Sequence, residues 1–297
     1  MKLKEIEILS QDNPKFPSLL KEISSSPKKI YILGELPDDG LIKIAIVGTR
    51  KATVDGRLIA KQFAQSLSRT GAIIVSGLAM GIDTAAHEGA VAVNGQTIAV
   101  LGNGINEIYP RQNENLAKKI LVSNGAIISE YPPKSPSLPH QFLERNRIVS
   151  GLCIATIVIE APERSGALVT ARLAAEQGRE VFVVPGPINH PNYRGSHQLI
   201  RDGARLITSV EDVLEDLNLE PLNPKSNPPA GGQNLKLQNI KDKNQLLIYK
   251  TIQEVGQPLN IDKIIKLTKL EPQTVNQSLA LLIIQDLIKE TERGYII

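Results

Sequence analysis

The stretch Ile44-Ala-Ile-Val-Gly-Thr-Arg50 decides the fold. Four consecutive apolar residues make a short strand buried on both faces. Glycine ends the run, and a helical pattern starts just beyond it. Ile59, Phe63 and Leu67 recur every four residues, with Ala60 and Ala64 beside them. Gly71 is placed to stop that helix. The unit then repeats. Ile73-Ile-Val-Ser76 is a second strand, and Asp83 is the expected N-cap of a helix over 84–93. Further strands are expected at Thr97-Ile-Ala-Val-Leu101, Ala126-Ile-Ile-Ser129, 154–160, Val181-Phe-Val-Val184 and Arg205-Leu-Ile207. Apolar strands alternating with amphipathic helices predict a doubly wound parallel sheet covered on both faces, an α/β domain over residues 44–218. Ligands of such sheets bind outside the carboxyl ends of the strands, so the residues just after each strand are the site candidates.

Residues 1–43 offer apolar anchors at Phe16, Leu19-Leu20 and Ile30-Tyr-Ile-Leu33, too few for an independent core. They are expected to form a short N-terminal segment packed on the main domain. Residues 219–240, with Pro221, Pro224, Pro228-Pro229 and Gly231-Gly232, read as a flexible linker. Residues 241–297 give a helix, a short helix, a longer helix opened by Glu271-Pro272, and a hairpin turning at Arg293-Gly294. That is the order of a small C-terminal winged-helix domain.

Composition narrows the function class. The chain has 297 residues, 41% of them hydrophobic, with no apolar run of transmembrane length and no signal-peptide pattern at Met1-Lys-Leu-Lys-Glu. Cys153 is the only cysteine, so no intramolecular disulfide forms, which fits a reducing cytoplasm. A net charge of +3 is a weak global signal, so nucleic-acid binding would rest on a local basic patch.

Such a patch is legible around Leu138-Pro-His-Gln-Phe-Leu-Glu-Arg-Asn-Arg-Ile-Val-Ser-Gly151. Arg145, Asn146 and Arg147 cluster there, and Arg164-Ser165-Gly166 opens a helix after the next strand. Gly48-Thr49-Arg50 and the loop from Ser76-Gly77 to Gly81 stand at two other strand ends, and Arg194-Gly195-Ser196 is read as a fourth glycine loop. Several glycine loops on one sheet edge, some beside an arginine, suit a ligand with several phosphates. Tyr109, Tyr131, Phe142 and Tyr193 fall near the same edge, where aromatics either stack bases or anchor loops. Gly102-Asn-Gly104 begins like a dinucleotide fingerprint, but Glu107 holds the third glycine's place, which argues against a dinucleotide cofactor. Asp83 and His87 share a helix face, as a cap and a structural histidine more readily than as a metal pair, and no metal or other cofactor is expected. Glu130, Glu144 and Glu160 lie near the edge, either as an acid–base pair or as partners of Arg145 and Arg147.

Taken together, Ile46-Val-Gly-Thr-Arg50, Val75-Ser-Gly-Leu-Ala-Met-Gly-Ile-Asp-Thr-Ala-Ala-His87, Val100-Leu-Gly-Asn-Gly104 with Tyr109-Pro110, Glu144-Arg-Asn-Arg-Ile-Val-Ser-Gly151, Ile159-Glu-Ala161 with Arg164-Ser-Gly-Ala-Leu-Val-Thr170, and Val184-Pro-Gly186 resemble the DNA-processing protein A family, DprA or Smf. The resemblance covers about residues 14–218. It implies a Rossmann-like domain that binds single-stranded DNA, forms a homodimer, and helps load RecA recombinase in natural transformation, with no catalytic activity. By the same resemblance Gly48-Thr49-Arg50 is the phosphate loop, Arg145 and Arg147 are basic DNA contacts, and Ser165-Gly166 is a supporting helix N-terminus. The third helix of the C-terminal module carries no Lys or Arg before Lys289, so a protein partner suits that module better than DNA. The rival reading is an enzyme that cleaves the glycosidic bond of a nucleoside monophosphate. The Pro-Gly-Gly-x-Gly-Thr signature of such relatives is missing, Val184-Pro-Gly-Pro187 being the nearest stretch.

Overall fold

The structure, a computed structural model, describes residues 6–219, 242–255, 258–284, 288–291 and 294–296. The chain divides into two compact units, Met1–Asn223 and Pro224–Ile297.

The first unit runs β1 (Glu7–Ser10), α1 (Ser18–Glu22), β2 (Lys29–Gly34), β3 (Lys43–Val47), α2 (Val54–Arg69), β4 (Ile73–Ser76), α3 (Ile82–Ala92), β5 (Thr97–Val100), α4 (Glu114–Val122), β6 (Ala126–Ser129), α5 (Pro139–Glu144), α6 (Asn146–Gly151), β7 (Ala155–Val158), α7 (Gly166–Glu176), β8 (Glu180–Val183), α8 (Arg194–Arg201), β9 (Arg205–Leu206) and α9 (Val210–Asp216). Among the described residues these strands form one sheet in the order β1-β2-β6-β5-β4-β3-β7-β8-β9. From β6 to β9 every pairing is parallel. The chain moves outward from β3 through β4, β5 and β6, then returns to the other side of β3 with β7. That reversal makes β3/β7 the topological switch point, where the flanking loops part to leave a crevice.

Strand pleating explains the two covered faces. Alternate residues point to opposite sides of a strand. Ala45, Val47, Val75, Ile98 and Val100 face a core with Ile148, Val149, Leu168 and Ala171. Their neighbours Ile44, Ile46 and Ile74 face a second core with Ala60, Phe63, Leu67, Ala86 and Val213. Each face is buried, so the strands read as unbroken apolar runs.

The sheet differs from the expected all-parallel one at one edge. β2 pairs antiparallel with β6, and β1 antiparallel with β2. An antiparallel pair on an otherwise parallel sheet closes the exposed edge of β6. Leu9, Phe16, Leu20, Ile23, Ile30 and Ile32 from this segment all enter the first core. Two local expectations also change. Asp83 is not the N-cap of α3; Gly81 holds that position and Asp83 lies in the first turn. Arg194-Gly195-Ser196 is not a glycine loop at the sheet edge but the first turn of α8. There the Ser196 hydroxyl accepts from Ala161 N–H at 3.0 Å.

The second unit has α10 (Lys243–Val255), α11 (Ile261–Thr268), α12 (Pro272–Ile284) and an antiparallel pair, β10 (Lys289–Thr291) with β11 (Gly294–Ile296). Leu259 adds a bridge to Tyr295. Ile248, Ile252, Ile264, Val275, Leu279 and Leu282 fill its core. Most of the predicted linker 219–240 lies outside the described residues.

Candidate nucleic-acid interface

A cavity of about 290 Å³ opens at the switch point. Its wall takes Val47, Gly48, Thr49 and Arg50 from the end of β3, Gly77, Ala79 and Asp83 from the β4–α3 loop and α3, Phe142, Arg145, Asn146 and Val149 from α5, α6 and their junction, and Arg164, Ser165, Gly166 and Thr170 from the β7–α7 loop and α7. A smaller annex of about 80 Å³ adjoins it, between Arg50, Gly77, Met80, Tyr109, Pro110 and Phe142.

Local structure sets each cation. Arg50 is exposed, and its guanidinium carbon lies 5.5 Å from the centre of the Phe142 ring, within cation–π range. Tyr109 packs on the same ring, with centroids 5.2 Å apart and planes tilted by 45°. Arg164 is exposed at the mouth of α7. The Ser165 hydroxyl caps that helix by accepting from Ala167 N–H at 3.2 Å. The free N–H groups and positive dipole end of α7 therefore face the cavity together with Arg164.

Arg145 is different in kind, being only 4% exposed. Its Nη1 donates to the Gly77 carbonyl at 2.6 Å and to the Val100 carbonyl, tying the ends of β4 and β5 together. Its Nε finds no partner among the described residues. Burial, then the like charge of Arg50, draws its pKa down to about 10, while Asp83 pulls it back up, so the group is still a cation at neutral pH. Asp83 accepts from the N–H groups of Gly77 and Ala79 at 3.2 and 3.3 Å. Burial raises its pKa, against the opposing pull of Arg145 and those hydrogen bonds.

Of the residues singled out from sequence, Gly48, Thr49, Arg50, Gly77, Arg145, Asn146, Arg164, Ser165 and Gly166 meet in this one cavity. Asn146 is spent partly on the Gly166 carbonyl, at 3.2 Å. Three do not line it. Ser76 is fully buried and donates to the Ile46 carbonyl at 2.7 Å. Gly81, at φ +88°, stands behind the 48–50 loop, where a Cβ would collide with the Thr49 carbonyl. Arg147 turns away to Glu130. The other carboxylates are also engaged: Glu144 accepts from Tyr131 Oη at 2.7 Å, and Glu160 lies within a buried network. His87 is fully buried, its Nδ1 2.8 Å from the Thr97 hydroxyl. That hydroxyl donates to the Ile74 carbonyl, so the histidine is the donor. Among the described residues no three His, Cys, Asp or Glu side chains are grouped to hold a metal, and no helix is long and apolar enough to cross a membrane.

Sequence reasoning missed Thr53 and Asn192, which brace the Arg50 loop. Thr53 carries a signal, as a threonine three residues ahead of Gly56 at a helix start, whereas Asn192 carries none.

A doubly wound sheet with three arginines, a capped helix N-terminus and an aromatic pair around its switch-point cavity defines a Rossmann-like protein with a cationic cleft. The sequence model of DNA recombination-mediator protein A matches residues 7–218, and the chain belongs to that family. It is 45% identical to Protein Smf of Escherichia coli K12 over 210 residues, 71% of this chain and 56% of that protein. It therefore spans a little over half the length of that relative. It is 40% identical to DNA processing protein DprA of Streptococcus pneumoniae R6 over 218 residues, 70% of this chain and 77% of that one. The X-ray structure of the Streptococcus pneumoniae DprA superposes with a TM-score of 0.66 at 38% identity, covering 72% of this chain and 75% of that one. A Helicobacter pylori DNA processing protein A, described for its single-stranded DNA binding mode, superposes with a TM-score of 0.64 at 31% identity, covering 72% and 96%.

Proposed function

We propose that this chain is a non-enzymatic single-stranded DNA-binding protein that acts in DNA recombination and natural transformation. It protects incoming strands and helps load RecA recombinase, working in the cytoplasm as a homodimer. The observation that carries the reading is the pairing of Arg50, Arg164 and the α7 N-terminus with the half-buried ring of Phe142 and the exposed ring of Tyr109 beside it. Phosphates take the cations and the helix N-terminus, and bases take the aromatic wall. The annex is lined by Tyr109, Met80 and Phe142, an aromatic and apolar wall for an unstacked base, which a base inside a duplex is not. Membership of the family, and a relative whose structure concerns single-stranded DNA binding, support the same ligand.

The enzymatic rival is disfavoured by the state of the carboxylates. Glu130, Glu144 and Glu160 are held by Arg147, Tyr131 and a group of hydroxyl and amide donors, and Asp83 Oδ2 is held by two backbone N–H groups. For the second unit we propose a winged-helix module that contacts a protein partner. Three helices followed by a hairpin support the architecture, and the lack of Lys or Arg in α12 supports the partner. The test is fluorescence anisotropy of a labelled single strand and of its duplex. The reading expects clear preference for the single strand and little dependence on its sequence. Equal affinity for the duplex, or binding that disappears when residues 241–297 are removed, would contradict it.

A further inference from the structure

Glu160 stands just past the end of β7 and is fully buried, yet no ion pair to it occurs among the described residues. Its carboxylate is instead surrounded by neutral donors from two distant segments. Oε2 accepts from Thr53 N–H at 3.0 Å and from Asn192 Nδ2 at 3.0 Å. Oε1 accepts from the Thr53 hydroxyl and from Tyr193 Oη at 3.1 Å. A Cβ at position 56 would strike this carboxylate, and glycine leaves it room.

These bonds converge on the loop that carries Arg50. The Glu160 carbonyl accepts from Thr49 N–H at 2.7 Å. Lys51 N–H donates to the Thr49 hydroxyl at 3.2 Å, and the Lys51 carbonyl accepts from Asn192 Nδ2 at 3.0 Å. Residues 49, 51 and 53 are thus each fixed, directly or through Asn192, to Glu160. Arg50 lies between them, with its guanidinium over the Phe142 ring. A buried carboxylate that only filled space could be replaced by an apolar side chain at little cost. One that gathers donors from residues 53, 192 and 193 fixes the relative position of their loops.

We infer that Glu160 is a positioning residue for phosphate binding. It holds the 49–53 loop so that Arg50 meets the strand without first being ordered, and so lowers the entropic cost of binding. The inference rests on the single-strand-binding reading above.

The test is a double-mutant cycle between positions 160 and 50 in the full chain, read by single-strand anisotropy across a salt series. Thermal unfolding first establishes that each variant folds. Glu160→Leu keeps the bulk and removes all four hydrogen bonds. Glu160→Gln can retain them: its amide oxygen accepts from Thr53 N–H and Asn192, and its amide nitrogen donates to the hydroxyls of Thr53 and Tyr193. Loss of a charged phosphate contact corresponds to roughly tenfold or more in affinity, and to about one unit of salt slope. The expected result is that Glu160→Leu shows both losses, that it adds nothing to Arg50→Ala, and that Glu160→Gln retains most of the affinity. A folded Glu160→Leu protein that binds and responds to salt as wild type does, or losses that add to those of Arg50→Ala, would overturn the inference. If Glu160→Leu does not fold, Asn192→Ala takes its place in the cycle, with a several-fold loss expected that vanishes in the Arg50→Ala background; no loss would overturn it. Wild-type affinity in Arg50→Ala itself would overturn the binding reading on which the inference rests.

Discussion

Arg147 and Glu130 meet fork to fork, Nη1 to Oε1 at 2.8 Å and Nη2 to Oε2 at 2.6 Å. Both side chains are less than one-fifth exposed. This bidentate pair uses the donors that a phosphate would need. It ties α6 to the end of β6, so Arg147 acts on stability. Arg147→Ala should lower the unfolding free energy by about 1–3 kcal/mol and leave the salt slope of DNA binding unchanged. Denaturant unfolding and a salt titration check the two halves separately.

Gly77 and Arg145 give a second test. A Cβ at position 77 would lie 2.5 Å from both Nη atoms of Arg145. Gly77→Ala must therefore displace a buried guanidinium that joins β4 to β5. The expected cost is about 1–3 kcal/mol of stability, together with weaker DNA binding as the cavity floor shifts. Unchanged stability would mean that Arg145 has room to move.

His87 sets a pH dependence. Burial, then the charge of Arg145, holds its pKa at about 3, against the ordinary value of 6.5. The folded state keeps the imidazole neutral, whereas the unfolded chain protonates below pH 6.5. Between these values the unfolded state binds more protons, so stability falls as pH falls from about 6.5 towards 3, by up to about 1.4 kcal/mol per pH unit. Asp83 has the opposite sign, since its raised pKa favours folding at low pH. The difference between wild type and His87→Gln isolates the histidine. That difference should change steadily below pH 6.5 and be flat above it, as read from urea unfolding at a series of pH values.

Phe142 lines both the cavity and its annex, and in the proposed reading it is the wall that meets the bases. Phe142→Ala should weaken single-strand binding by about 1–3 kcal/mol and leave the salt slope in place, because it removes stacking and no charge. Isothermal titration at two salt concentrations separates these effects.

The core strands were legible because both faces are buried, which turns each into a continuous apolar run such as Ile44-Ala-Ile-Val47. Of the N-terminal pair, β2 showed only as the apolar anchors Ile30-Tyr-Ile-Leu33, and β1 not at all, since only Leu9 of its four residues is buried. An edge strand of that kind carries almost no pattern. The loops that build the cavity were legible from glycines and arginines at strand ends, but the split between Arg145 and Arg147 was not read. The cue was present: residues two apart on a helix point to nearly opposite sides, so both could not enter one cleft. The Glu160 network joins residues 53, 160, 192 and 193, and no local pattern links positions so far apart in the chain.

The central claim is that Arg50 at the switch point binds the strand's phosphates. The most direct test is the salt dependence of single-strand affinity for wild type and Arg50→Ala. The expected result is a loss that is uniform across oligonucleotide sequences, with the slope of log K against log salt reduced by about one. An unchanged slope and affinity in Arg50→Ala would place the binding surface elsewhere on the protein.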